Sequence, residues 1–168
     1  MAEARKLIPM IIRWEGGFVN DPNDAGGATM KGVTLATYRK FYGADKTVDD
    51  LKRITDEEWY HIFRTGYWDR FRGDDILDQA VANICVDWLY NSGIAAIKRV
   101  QKIVGVEDDG MVGDVTIAAI NAREPRQLFE QIKAARTAFV ETIARNNPSQ
   151  RKFLQGWKNR INAFTYQA

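Results

Sequence analysis

The sequence predicts a mainly α-helical protein with one small β hairpin, or an ordered glycine-rich loop, near its N-terminus. Three observations predict it. Apolar residues recur at helical spacing through most of the chain. Capping residues stand where those runs begin, and glycine or proline where they stop. The stretch that lacks helical periodicity, residues 16–33, holds Gly16, Gly17, Gly26, Gly27, Gly32 and Pro22 around Asn20, Asp21, Asn23 and Asp24.

Leu7, Ile11 and Trp14 set a first helix that ends at Glu15, with Pro9 either in its first turn or kinking it. Thr34 is placed to cap a helix that runs to Tyr42 and stops at Gly43. Thr47-x-x-Asp50 and Thr55-x-x-Glu58 are capping boxes, the second opening a helix that carries Trp59, Ile62 and Phe63. Asp78 starts an apolar helix through Val81, Ile84, Cys85, Trp88 and Leu89, ended by Gly93. Its apolar residues cover more than one face, as a central buried helix requires. A helix over 94–104 follows, closed by Gly105. Asp109-Gly110 is a turn, and Asp114 is expected to cap a helix over 115–121. Pro125 suits the first position of a long helix through Arg145. Pro148 divides that helix from a last amphipathic one carrying Phe153, Trp157, Ile161 and Phe164.

Composition removes several classes of chemistry. A chain of 168 residues, 45% hydrophobic and 27% charged, fits one globular domain with at most a small appendage. Its apolar runs fall short of the ~20 residues of a membrane span. The run Leu7 to Ile12 is short and interrupted by Pro9, so neither a signal peptide nor an anchor is expected. The single Cys85 excludes an intrachain disulfide and lies in an apolar helical stretch, as a buried inert thiol does. One histidine, His61, and two serines, Ser92 and Ser149, leave no nucleophile-elbow context and little for a zinc site. Phosphate-cradling glycine motifs are missing. Carboxylates must therefore carry any catalysis, and no metal or organic cofactor is expected. Net charge is +2, but it is unevenly spread: residues 1–124 hold 16 basic and 20 acidic side chains, and residues 125–168 hold 8 and 2. Two readings of the basic end stand, a solvated face on long helices or a contact for a polyanion.

Glu15 and Asp24 are the candidate carboxylates. A glutamate at a helix C-terminus opposes the macrodipole, a cost of ~0.3–1 kcal/mol. The Trp14 neighbour and the carbonyl-rich helix end also disfavour its anion, which suits a general acid. The competing reading is a solvated last-turn residue. Asp24 lies nine residues on, in a loop whose glycines allow close backbone approach, with Thr29 and Thr34 beyond it. Two carboxylates across a cleft, one protonated and one ionised, are the apparatus of glycoside hydrolysis. Asp21, by contrast, suits ordinary turn work.

These residues carry a resemblance. Glu15-Gly16-Gly17-Phe18 with Asp21-Pro22, Asp24, Gly26-Gly27, Thr29 and Gly32-Val33-Thr34 closely resembles the signature of glycoside hydrolase family 108, the lysozyme-like muramidases of phages and bacteria. Gly66-Tyr67-Trp68, Asp87, Asn91-Ser92-Gly93, Gln101 and Gly105 match further along. Asp109-Gly110-x-x-Gly113-x-x-Thr116 resembles the peptidoglycan-binding segment of that family, and Phe153-x-x-Gly156-Trp157-x-x-Arg160 its closing motif.

The resemblance implies a lysozyme-like catalytic region at 1–93 and a helical peptidoglycan-binding region at 94–168, packed as one compact unit. It implies Glu15 as the acid that protonates the glycosidic oxygen between N-acetylmuramic acid and N-acetylglucosamine. Asp24 is then the base or electrostatic partner. Thr29 is the candidate for ordering water, although the Glu-x8-Asp-x5-Thr spacing of more distant phage-type lysozymes falls one residue later, on Met30. Asp87, Asn91 and Trp68 are candidate substrate contacts; Asp87 and Asn91, four residues apart on one helix, fit a buried hydrogen-bonded pair equally well. Asp109, Gly110, Gly113 and Thr116 are candidates for wall binding or a turn of purely structural use. The implied partner is peptidoglycan, with no nucleic acid. A monomer made in the cytoplasm would reach the periplasmic face of the wall through a holin or another secretion system, as an endolysin does. A lytic transglycosylase and a non-catalytic wall-binding or secretion-accessory protein remain open as alternatives.

Overall fold

The computed structural model describes residues 1–20 and 27–167, and within them the architecture is mainly helical, with a small antiparallel sheet near the N-terminus. The chain falls into two compact units, Arg5–Tyr67 on one hand and Met1–Ala4 with Trp68–Ala168 on the other.

Helix α1 (Ala4–Trp14) enters the first unit, with Pro9 inside it and beyond its first turn. Strands β1 (Phe18–Asn20), β2 (Ala28–Met30) and β3 (Val33–Thr34) follow, paired antiparallel in the order β1-β2-β3. The glycine-rich stretch is thus partly sheet. Helix α2 (Leu35–Tyr42) starts where the Thr34 side chain accepts a hydrogen bond from the Thr37 N–H, and it stops at Gly43. Helices α3 (Val48–Lys52) and α4 (Asp56–Phe63) each open with the reciprocal capping box that the sequence spells out. Trp59, Ile62 and Phe63 line the buried face of α4, and the Trp59 and Phe63 rings lie stacked with centroids 5.4 Å apart.

The second unit is built around α5 (Gln79–Ser92), capped by Asp78 and packed against α6 (Ile94–Val104) and α8 (Pro125–Asn146). Val81, Ala82, Ile84, Cys85, Val86, Trp88 and Leu89 are all buried, so α5 has little solvent face. Val81, Ile84, Val86 and Leu89 each contribute about 1.5–3 kcal/mol by leaving water. Helix α9 (Leu154–Ala163) lies along α8, entered through a 3-10 turn at Pro148–Phe153.

Two starts differ from expectation. Helix α7 (Asp114–Asn121) begins one residue earlier than expected, with Gly113 at the cap position and no side-chain cap bond. The Asp114 carboxylate instead accepts from Arg72 Nη1 at 2.6 Å, while its charge still sits favourably in the first turn. At α8, Pro125 takes the first helical position as expected, but the cap is Glu124, whose carboxylate accepts from the N–H groups of Arg126 and Gln127.

Candidate active site

Glu15 is the first residue past α1. Its N–H still donates to the Ile11 carbonyl at 2.9 Å, so the helix delivers the carboxylate before the chain turns away. The residue is half-buried. Trp14 beside it carries the Arg13 guanidinium 5.6 Å from its ring centroid, and its indole Nε1 is buried without a hydrogen-bond partner among the described residues. Gly16 and Gly17 are exposed and neither has a positive φ. A Cβ on either would meet no described atom within 4 Å. Among the described residues, neither backbone geometry nor packing demands glycine there. Nothing among the described residues crowds the chain at the two positions that follow Glu15.

Asp24 lies outside the described residues. Thr29 occupies the middle of β2, opposite Val19 on β1 and Thr34 on β3, with Phe18 paired to Met30. The register thus places Thr29 in fixed relation to the strand that begins three residues after Glu15. Strand alternation sends its side chain away from the face of buried Ala28, and among the described residues its hydroxyl makes no hydrogen bond. Thr34 is engaged instead in capping α2, and its hydroxyl donates to Thr37 Oγ1 at 3.0 Å.

The β2–β3 turn fixes this sheet. Its central residues, Lys31 and Gly32, have φ of 49° and 79°, the positive values a type I′ turn needs. Left-handed backbone costs a lysine roughly 1–2 kcal/mol. Offsetting bonds hold it: the Trp59 indole donates to the Lys31 carbonyl at 3.1 Å, and Lys31 Nζ donates to Asp56 at 3.2 Å.

The second group of expected substrate contacts is placed differently. Trp68 is fully buried, and its indole N–H donates to Asp74 at 2.9 Å. A Cβ on Gly73 would overlap the Trp68 ring, so that glycine exists to let the indole pack down. Trp68 presents no face to a sugar. Asp87 is likewise fully buried, in an ion-paired cluster. Its Oδ2 accepts from Arg136 Nη2 at 2.6 Å and Arg160 Nε at 3.2 Å, and its Oδ1 from Arg160 Nη2 at 2.6 Å. The structure does join Asp87 to Asn91, whose amide donates to the Asp87 carbonyl at 2.8 Å, and Asn91 itself is exposed. As substrate contacts, Asp87 and Trp68 are corrected to internal supports, because both are fully buried and already bonded to partners inside the fold.

The Asp109–Thr116 segment is brought together by a residue whose role the sequence left unassigned. Buried Gln101 donates through Nε2 to Asp109, to the Met111 carbonyl and to Thr116 at 2.9, 3.0 and 3.2 Å, and its Oε1 accepts from the Gly110 N–H at 2.9 Å. Gly110 has φ of 80° and lies against Ile94, 2.7 Å from where a Cβ would stand. Met111 N–H holds the Asp109 carboxyl below the usual carboxylate range. Arg136 and Arg160 also escaped the sequence reading as a site. Their one signal was a pair of arginines on helices otherwise patterned as amphipathic, with a buried aspartate far upstream.

The family description Glycosyl hydrolase 108 matches residues 8–93, and that of a Predicted Peptidoglycan domain matches residues 95–162. Among solved structures the chain is similar to SagA of Brucella abortus, with 30% identity and a TM-score of 0.77 over 98% of this chain and 96% of that one. No curated protein matches it. The first match takes in Glu15 and the three-stranded sheet, and the second takes in the Gln101-centred turn and the closing arginine motif. The chain belongs to glycosyl hydrolase family 108, and a peptidoglycan domain follows its hydrolase part.

Proposed function

We propose that the protein is a muramidase, hydrolysing the β-1,4 bond between N-acetylmuramic acid and N-acetylglucosamine with Glu15 as its general acid. Family membership and the peptidoglycan domain support hydrolysis of that polymer. The observation that supports the assignment of Glu15 is its setting: a glutamate at the end of α1, followed by two glycines that neither φ nor packing against the described residues requires. Two small residues beside the acid suit the approach of a sugar chain.

In the reaction, the Glu15 carboxylic proton passes to the glycosidic oxygen as the bond to C1 of muramic acid breaks. Charge develops on the sugar ring, and a carboxylate across the cleft stabilises it or activates water. Asp24 fills that role and Thr29 orders the water, which adds to C1 and leaves a reducing muramic end. Residues 1–93 act on the glycan and residues 94–168 hold the wall, with exposed Asn91 at the border between them. The protein acts as a monomeric endolysin, delivered to the wall by a holin or another secretion route.

Digestion of purified peptidoglycan by the wild type and by Glu15→Gln, with products read by mass spectrometry, tests this. The expected result is reducing-end muropeptides from the wild type and a loss of at least about 10²-fold in the variant, in line with the worth of a general acid. Anhydro-muramyl ends would replace the hydrolase by a transglycosylase. Wall binding without products from either protein would leave an accessory wall-binding module.

A further inference from the structure

A pocket of about 120 Å³ lies in the second unit, between the end of α5 and helices α8 and α9. Arg136 and Arg160 line its buried part, Asn91 and Ser92 its exposed part, and Trp157 and Val140 its walls. Trp157 and Arg160 belong to the closing Phe-x-x-Gly-Trp-x-x-Arg motif, which nothing in the catalytic reading uses.

Two guanidinium groups converge on one carboxylate at the buried end. Both oxygens of Asp87 are already taken by guanidinium donors. Arg136 is 3% exposed, and its Nη1 is buried with no hydrogen-bond partner among the described residues. One arginine, bound in bidentate fashion, would suffice to neutralise a buried aspartate. Here a second cation is buried as well, with donor capacity left over. An unsatisfied charged donor costs about 1–3 kcal/mol or more, so its retention points to an acceptor supplied from elsewhere. The polar end offers an amide and a hydroxyl, which suit a peptide. The Trp157 face suits the aliphatic part of a small residue.

We infer that this pocket binds a carboxylate of the peptide stem borne by peptidoglycan, so that the second half of the chain recognises stem peptide rather than glycan. The inference rests on peptidoglycan being the partner, and it names which part of the polymer is held.

The test uses the full-length protein labelled with 15N, following the Trp157 indole resonance, which a Trp157→Phe variant assigns. Three probes are titrated: a purified disaccharide-peptide muropeptide, the same muropeptide with all carboxylates converted to amides, and acetate. The expected result is a Trp157 shift with the free-carboxylate muropeptide and about tenfold or greater weakening on amidation, the size of one charge-assisted hydrogen bond. Ser92→Asp, which sets a like charge at the pocket mouth, should weaken binding to a similar degree at unchanged melting temperature. Ile143→Asp, on the half-buried wall of the pocket, serves in its place if that variant does not fold. Equal binding of both muropeptides, no movement at Trp157, or acetate binding as tightly as the muropeptide would each overturn the assignment. Digestion of sacculi is scored apart: digestion without carboxylate preference sinks the pocket alone, and carboxylate-selective binding without digestion sinks the hydrolase reading alone.

Discussion

A carboxylate that gives up its water needs donors on both oxygens, and Asp87 receives them from Arg136, Arg160 and Asn91. Removing that charge leaves two guanidinium groups buried together. Asp87→Asn should therefore destabilise the fold by about 3–5 kcal/mol in urea denaturation, the range for breaking a buried pair. The loss should appear in stability and leave Glu15 chemistry intact in whatever fraction stays folded. Gly110 is a second sensitive residue. With φ of 80° and Ile94 against its Cα, Gly110→Ala should cost more than the roughly 1 kcal/mol of a merely strained substitution, read as a fall in melting temperature. At this scale the sequence was only half legible. Asp87 and Asn91 are visible as an i, i+4 pair, but the arginines that decide their role stand 49 and 73 residues from Asp87. Trp68 reads as a sugar platform or as core with equal ease until Gly73 is seen beneath it.

Helices were legible because their causes are local. The Thr47 and Thr55 boxes, the Asp78 cap, Gly43, Gly93 and Gly105 each act within a few residues, and each stands where the sequence put it. Thr55→Ala should cost about 1 kcal/mol, the worth of an N-cap, and Thr47→Ala about the same; chemical denaturation of the two variants checks this. The sheet was less legible. Its strands are two or three residues long, too short for a period of two to declare itself, and its register depends on a lysine held at positive φ by an indole from α4. Trp59→Phe keeps the ring stacked on Phe63 but deletes the bond to the Lys31 carbonyl. It should loosen the strand bearing Thr29, seen as faster amide exchange across 28–34 with little change in α4.

Titration and salt report on the whole molecule. The carboxyls of Asp50 and Asp109 are held below the usual range by the N–H groups of Thr47 and Met111, and that of Asp108 by Lys102. Such groups add stability that is present above their unfolded value of about 4 and lost as pH falls through the lower folded ones. Melting temperature should hold steady from neutral pH to about 4 and decline below it. Burial pushes the Cys85 thiol far up, so a thiol reagent should modify it only when the second unit opens, at a rate that follows denaturant. The basic end at 125–168 should make wall binding weaken as salt rises; sedimentation with sacculi at low and high salt checks it, and equal binding at both would remove the electrostatic contribution.

The Asp87 cluster also has a consequence in time. A ribosome makes this chain from one end, and residue 87 is finished long before Arg136 and longer before Arg160. Until the last of these emerges, α5 holds a carboxylate that no interior can accept, so the nascent helix must stay wet or be shielded. The second unit closes only once Arg160 has been made. A fragment cut between the two family matches, at residue 94, should stay open and invite proteolysis, although each half bears its own family signature.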